Sequence, residues 1–388
     1  MNRNSDKPSE RGAAGLVNFD NSATTFPKPE SVKRTVYTAM NRYGGNPGRG
    51  GHRLSVETAG QIYRVRRSAA EFFGAQTENV AFTPNCTYAL NMAIKGMMQY
   101  GGHIVISGYE HNAAARPVYA LTKRSGVKYS VARIFDSPEK TAEEFDRLMT
   151  PETRCVCCII ASNVTGRILP YKEIAEVCRR KNVCFIADGA QACGVLDVKL
   201  SDGINFLCTS GHKALYGPSG TGLLISDGRY SLSTIIEGGT GATSSELAQT
   251  PFMPEKLESG SINTAGIIGL GAGLDFVRRK GTQRILSHEK SLCRQFEDGL
   301  REIKNVKLYD SDTLRAPITA FNIGDRDSQE VSQLLAERGF ALRGGLQCAA
   351  VAHSTLGTTE QGVVRFSPSA FNNSGQVKRL LAAVRSIA

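Results

Sequence analysis

Apolar residues recur along the chain in two rhythms. Ile62, Val65, Ala69 and Phe72 fall at helical spacing, as do Leu90, Ala93, Ile94 and Met97, and later Ile174, Val177 and Cys178. Between them lie short apolar runs at 103–106, 155–160, 183–187, 204–208 and 222–225, and Val80-Ala81-Phe82 precedes the second helix. A run that is apolar at every position offers no face to water, so it predicts a strand of a mostly parallel sheet covered by helices. From about residue 275 the pattern changes. It predicts a long charged helix over 282–303, short strands within 304–309 and 316–323, and a helix over 328–338. The chain therefore divides into a polar, mobile stretch over 1–15, a large α/β domain over 16–275 and a small α+β domain over 276–388. No long linker separates the two domains, which predicts tight packing, and the Pro/Gly-rich stretches 44–51 and 237–243 are predicted site loops.

Composition narrows the class. With 388 residues, 41% hydrophobic and 21% charged, the chain can bury two cores and is neither disordered nor fibrous. The 40 glycines suit an α/β enzyme with close backbone approaches around a ligand. No apolar run approaches the ~20 residues of a membrane helix, and the opening Met1 to Lys7 lacks the apolar core of a signal peptide. A cytoplasmic protein that engages no membrane is expected, with its ten cysteines reduced. The net charge of +11 is scattered over short clusters such as Arg278-Arg279-Lys280, so a nucleic-acid partner is not expected. Cys155, Cys157 and Cys158 lie inside an apolar run with no second pair at zinc spacing, and no metal is expected either.

Ligands of a parallel sheet bind beyond the carboxyl ends of its strands. The residues that follow the predicted strands are Glu110-His111-Asn112, Ser162-Asn163, Asp188-Gly189-Ala190-Gln191 and Thr209-Ser210-Gly211-His212-Lys213. A lysine brought there beside histidines is desolvated and close to positive charge, which lowers its pKa and makes it nucleophilic toward an aldehyde. Pyridoxal phosphate is the aldehyde inferred. Asp188 would keep its pyridine nitrogen protonated, His111 would stack on the ring, and Gln191 and Asn163 would bond the ring oxygen. Thr83-Pro84-Asn85-Cys86-Thr87 opens a helix directly after a strand, the setting that binds phosphate.

These residues also carry a resemblance. Asp188 to Gln191, then Ser210-Gly211-His212-Lys213 and Tyr216-Gly217-Pro218, resemble the NifS-like cysteine desulfurases of the class V aminotransferase fold. The likeness extends over Phe19 to Thr25, Asn46 to Arg53, Glu258 to Thr264, Arg343-Gly344-Gly345-Leu346-Gln347-Cys348-Ala349 and Val364 to Ser367, nearly the whole chain in order. It implies a homodimer of the type I pyridoxal-phosphate fold. It also implies that Lys213 binds the aldehyde, Asp188 the ring nitrogen, Gln191 the ring oxygen and His111 the ring face. Cys86, Thr87, Ser210 and His212 would hold the phosphate, joined by Thr264 of a second subunit. Arg365 with Asn163, and with Asn21 and His52 nearby, would receive the substrate carboxylate. Cys348 would take the sulfur of L-cysteine as a persulfide and pass it to an acceptor protein. A thiol on a Gly-rich loop beside Arg343 is electropositive and mobile enough for that role. Where the short-loop branch of the family commonly places two histidines before the cysteine, this chain has Leu346 and Gln347, and Cys86 stands where Ser, Thr or Ala is usual. The same scaffold also admits a selenocysteine lyase or cysteine β-lyase, in which Cys348 is dispensable. A non-catalytic partner-binding protein is a further alternative, against which the intact Lys213 and Asp188 argue.

Overall fold

Short apolar runs build the centre of the protein. The computed structural model describes residues 15–48, 50–241, 245–309 and 313–388. The stretch expected to be mobile thus lies outside the described residues except for Gly15, as do Arg49 and residues 242–243 of the two expected site loops. The strands are β1 (Val17–Asn18), β2 (Val80–Thr83), β3 (His103–Ser107), β4 (Lys128–Ala132), β5 (Thr153–Ile159), β6 (Cys184–Asp188), β7 (Phe206–Ser210), β8 (Gly222–Ser226), β9 (Val306–Tyr309), β10 (Thr319–Ile323), β11 (Phe340–Ala341) and β12 (Val364–Phe366). The helices are α1 (Glu30–Arg42), α2 (Arg53–Phe73), α3 (Cys86–Met97), α4 (Asn112–Ser125), α5 (Pro138–Leu148), α6 (Tyr171–Lys181), α7 (Thr264–Lys280), α8 (Thr282–Arg301), α9 (Ser328–Glu337), α10 (Ala350–Leu356) and α11 (Ser374–Arg385).

The main sheet has seven strands in the order β2-β8-β7-β6-β5-β3-β4. The five from β7 to β4 run parallel, and β8 is antiparallel to both β7 and β2. Each apolar run predicted as a strand lies in this sheet. The strand without such a signal, β4, sits at the edge, where Lys128, Tyr129 and Val131 face solvent. Alternate residues serve the two faces. Val105, Val156, Phe185 and Leu207 pack under Phe73 of α2, Phe145 of α5, Ile174 of α6 and Leu270 of α7. Ile106, Cys155, Cys157, Ile186 and Cys208 pack under Leu90 and Ile94 of α3 and Val118 of α4.

Helix α7 carries no clear helical signal because it contains Gly266, Gly269, Gly271 and Gly273, poor helix formers. The glycines are needed for close approach. A Cβ on Gly273 would stand 2.3 Å from the carbonyl oxygen of Leu215, and one on Gly269 2.5 Å from Val36 Cγ2. Small residues thus let α7 lie against α1 and the turn after β7.

Residues 306–309 and 313–388 fold around the antiparallel sheet β12-β10-β9, with Phe296, Phe321, Phe366, Leu335 and Leu380 in its core. The start of the chain joins them. β1 pairs parallel with β11, and the Phe19 ring lies 4.6 Å from that of Phe366. Residues 17–19, expected with the large domain, are therefore part of the C-terminal core, because Val17 and Phe19 supply an apolar edge that β11 and β12 cover.

One buried ion pair ties the loop that leads into α7 to the sheet. Glu258 receives Arg66 through both carboxylate oxygens, at 2.6 and 2.9 Å, and also the amide of Phe82 at 2.6 Å. Both side chains are less than a tenth exposed. Removing one partner strands the other charge, so Arg66→Ala should destabilise the fold by about 3–5 kcal/mol in urea unfolding. A loss under about 1 kcal/mol, the scale of surface pairs, would show that the pair does not hold this loop.

Candidate active site

Strand β7 ends at Ser210, and Gly211 turns the chain so that His212 and Lys213 project over the sheet's carboxyl edge. A Cβ on Gly211 would lie 2.2 Å from Thr221 Oγ1, so only glycine permits this crossing. The start of the chain straps the turn down. Thr25 donates its amide to the carbonyl of His212 at 3.0 Å and its hydroxyl to that of Lys213 at 2.6 Å, and Lys28 Nζ donates to the carbonyl of His212 at 2.7 Å. Burial lowers the Lys28 amine to about 8.

Around Lys213 opens a cleft of 280 Å³. Lys213, Asp188, Gln191, His111, Cys86, Thr87, Ser210, His212, Asn163 and Arg365 all line it, so ten of the residues expected at the site meet in one place. Asp188 is buried at the end of β6. Its Oδ1 accepts the amide of Ala190 at 2.9 Å and the thiol of Cys86 at 3.4 Å. Burial raises its pKa, while these two donors and Lys213 act against the rise. Burial lowers the Lys213 amine, and Asp188 opposes that shift. The thiol of Cys86 points at Asp188, and its amide faces Ser210 Oγ at 3.4 Å at the N-terminus of α3. The side chain therefore touches the acid, and the backbone amide faces Ser210.

His111 caps α4, its Nδ1 accepting the amide of Ala113 at 3.0 Å. Burial, then the nearby Lys213 and Arg365, push its pKa down to about 4. The ring is neutral at pH 7, with its proton on Nε2. His212 is likewise pushed to about 4, by burial and then by Lys213 and Lys28, and its Nδ1 is buried without a partner. Gln191 Nε2 donates to the carbonyl of Ser22 at 3.1 Å. Asn163 Nδ2 donates to the carbonyl of Gln347 at 2.8 Å, while its Oδ1 is buried and unpartnered. Arg365 is 2% exposed; its Nη1 donates to the carbonyl of Asn163 at 2.9 Å and its Nη2 to Asp20 Oδ1 at 2.6 Å. Behind the cleft, fully buried Glu110 accepts Ser107 Oγ at 2.6 Å and the amide of Ile159 at 2.7 Å, and burial raises it to about 8.

Four expected residues stand outside the lining. Cys348 is the one exposed thiol of the ten cysteines and lies 3.6 Å from Nη2 of Arg343, which does line the cleft. Its loop is fastened: the carbonyl of Cys348 accepts the amide of Asn112 at 2.7 Å. Asn21 lines a small adjoining cavity with Lys213 and Gln191, donating to the carbonyl of Ser367 at 3.0 Å and accepting the amide of Phe26 at 3.1 Å. His52 is exposed and caps α2 through the amide of Ser55. Thr264 begins α7 outside the cleft of its own chain. Sequence reading gave no role to Asp20, Lys28 or Gln347. Asp20 lies within a motif singled out by resemblance and Lys28 just after it, but only the folded chain brings them to Arg365 and His212.

This set suits pyridoxal phosphate. It offers an amine for the aldehyde, a buried carboxylate with both protein donors on one oxygen, two unpartnered buried polar atoms, and the amide end of a twelve-residue helix beside Ser210.

The model of the aminotransferase class-V family matches residues 17–380. A cysteine desulfurase of Yersinia pseudotuberculosis is 32% identical over 398 residues, covering 96% of this chain and 93% of that protein. A probable cysteine desulfurase of Xylella fastidiosa is 28% identical over 381 residues, covering 96% and 91%. The apo structure of a cysteine desulfurase from Thermococcus onnurineus superposes with a TM-score of 0.89 at 27% identity, covering 96% of this chain and 94% of that one.

The depressed histidines set a pH dependence. An unfolded histidine titrates near ~6.5, whereas folded His212 does so at about 4. Between those values the unfolded chain binds a proton that the folded chain refuses. The contribution is therefore complete above about 6.5 and is lost as the pH falls toward 4. His212→Gln should flatten the fall in urea midpoint of the cofactor-free chain between pH 7 and 4.5. Parallel profiles for variant and wild type would contradict it.

Proposed function

The chain belongs to the aminotransferase class-V family, and from that membership together with the cleft we propose that it is a pyridoxal-phosphate-dependent cysteine desulfurase, converting L-cysteine to L-alanine with the sulfur carried on Cys348. One observation carries the reading. The only exposed cysteine lies against an arginine at the edge of a cleft that encloses a lysine, an aspartate and a second arginine.

Pyridoxal phosphate held there would supply the electron sink that lets the substrate's bonds to hydrogen and sulfur break. Lys213 would hold its aldehyde, Asp188 its pyridine nitrogen, Gln191 its ring oxygen and His111 its ring face. The N-terminus of α3 with Thr87, Ser210 and His212 would hold its phosphate, and Thr264 would reach across from the other copy of a homodimer. Arg365 receives the substrate carboxylate, since a planar guanidinium already oriented by Asp20 and the carbonyl of Asn163 presents a fixed fork. Lys213, its pKa lowered by burial, moves the proton at the substrate's Cα. Cys348 then attacks the substrate sulfur. An S–S bond forms, the Cβ–S bond breaks, and the electron pair left behind takes up a proton, so that alanine leaves and the enzyme keeps a persulfide. A thiol of an acceptor protein removes that sulfur. Among the described residues no helix is long and apolar enough to cross a membrane, and we place the reaction in the cytoplasm.

Product analysis with L-cysteine tests the reading: alanine with enzyme-bound sulfur supports it, while pyruvate and ammonia would make the protein a β-lyase. Borohydride treatment of the yellow holoenzyme should fix the cofactor's mass on Lys213, and Lys213→Ala should abolish that adduct. Cys348→Ala should still change the cofactor's absorbance on binding cysteine yet lose alanine formation by several orders of magnitude, as removal of a nucleophile without substitute does. Turnover of more than about a tenth of wild type, a loss under ~1.4 kcal/mol, would end the persulfide role. Light scattering should show a dimer; a fully active monomer would remove the shared site.

A further inference from the structure

Gln347 and Cys348 are consecutive non-glycine residues in the left-handed backbone region, with φ of 40° and 56°. Such positions persist only where surrounding contacts determine them. Here the determining side chain is that of Gln347, which is 3% exposed although both its neighbours face solvent. Its Nε2 donates to the carbonyls of Val363 at 2.7 Å and Arg343 at 3.2 Å. That fixes which end of the amide is which, so Oε1 is the atom that meets His353 Nε2 at 3.1 Å and must accept from it. Fully buried His353 then takes the hydroxyl of Thr358 on Nδ1 at 2.8 Å. The backbone on either side is held as well. The carbonyl of Gln347 accepts Asn163 Nδ2 at 2.8 Å, and that of Cys348 accepts the amide of Asn112 at 2.7 Å.

The partners of this loop are parts of the site. Arg343 exchanges backbone hydrogen bonds with Arg365, whose side chain lines the cleft. Asn112 directly follows His111, and Asn163 lines the cleft itself. We propose that Gln347 is the positioning residue for Cys348: its amide, oriented by His353, locks the thiol loop in the left-handed turn and fixes the sulfur against Arg343 at a set place relative to the arginine that receives substrate. Sulfur is then taken up by a pinned nucleophile, and an acceptor must come to it. The glycines of this loop, from which mobility was expected, also serve close packing: a Cβ on Gly344 would lie 2.1 Å from the carbonyl of Ser328.

The proposal rests on Cys348 as nucleophile, and its test separates the two. Gln347→Met keeps the volume and removes every side-chain hydrogen bond. It should lower kcat for alanine formation at least fivefold, leave KM for cysteine and cofactor content unchanged, and change the rate at which iodoacetamide alkylates Cys348, followed by mass spectrometry. A merely structural Gln347 would instead lower the unfolding midpoint and leave kcat and alkylation at 25 °C unchanged. Gln347→Asn, one methylene shorter, should move in the same direction and serves if the Met variant does not fold. If Cys348→Ala is inactive and both Gln347 variants turn over within fivefold of wild type, this proposal is wrong and the desulfurase reading stands. If Cys348→Ala retains turnover, both fall.

Discussion

A lysine and an aspartate share one cleft in which burial disfavours the charge of each, and much of the structure answers that constraint. Burial works against the charged form of each, raising Asp188 and lowering Lys213, while each opposes the other's shift. The arrangement survives because their backbones leave no room to separate. β6 and β7 are adjacent parallel strands, Gly211 crosses tightly over Thr221, and the start of the chain holds the carbonyls of His212 and Lys213. Burial, and after it the cationic neighbours, keep both histidines neutral. A neutral ring can lie against an aromatic cofactor face or donate a hydrogen bond without adding another buried charge.

The N-terminal segment links this cleft to the C-terminal core. Within about a dozen residues it supplies β1 to the small sheet, Phe19 to the aromatic stack, Asp20 to Arg365, Ser22 to Gln191 and Thr25 to Lys213. The placement of the amine and the placement of the substrate arginine are therefore not independent. The same holds for the thiol loop, whose bridge to β12 makes the position of Cys348 follow that of Arg365.

Chemical selection among ten thiols follows from burial. Nine lie in the cores or in the cleft, and desolvation drives Cys86, Cys157, Cys158, Cys184 and Cys208 well above the ordinary thiol range. Such groups stay protonated and inert. Only Cys348 is open to an incoming acceptor.

The sequence alone determined the strands with no solvent face, the helices with a clear apolar stripe, and the polar residues that follow each strand. Those signals are local, because periodicity and strand ends are read within a few residues. From them the cleft's lysine, aspartate, histidines and helix terminus were legible, and the resemblance assigned them roles. Tertiary structure decided the rest. Edge strand β4 exposes Lys128, Tyr129 and Val131 because it has a strand on one side only, and the glycines of α7 make sense only against Val36 and the carbonyl of Leu215. Asn21 and His52, expected at the substrate, satisfy backbone groups instead, since those donors and acceptors would otherwise be buried or left uncapped. Asp20 meets Arg365 across 345 positions, and Gln347 meets His353 only inside a folded loop. Which groups neutralise or hold one another is set by packing and desolvation between distant segments, and no local pattern records that.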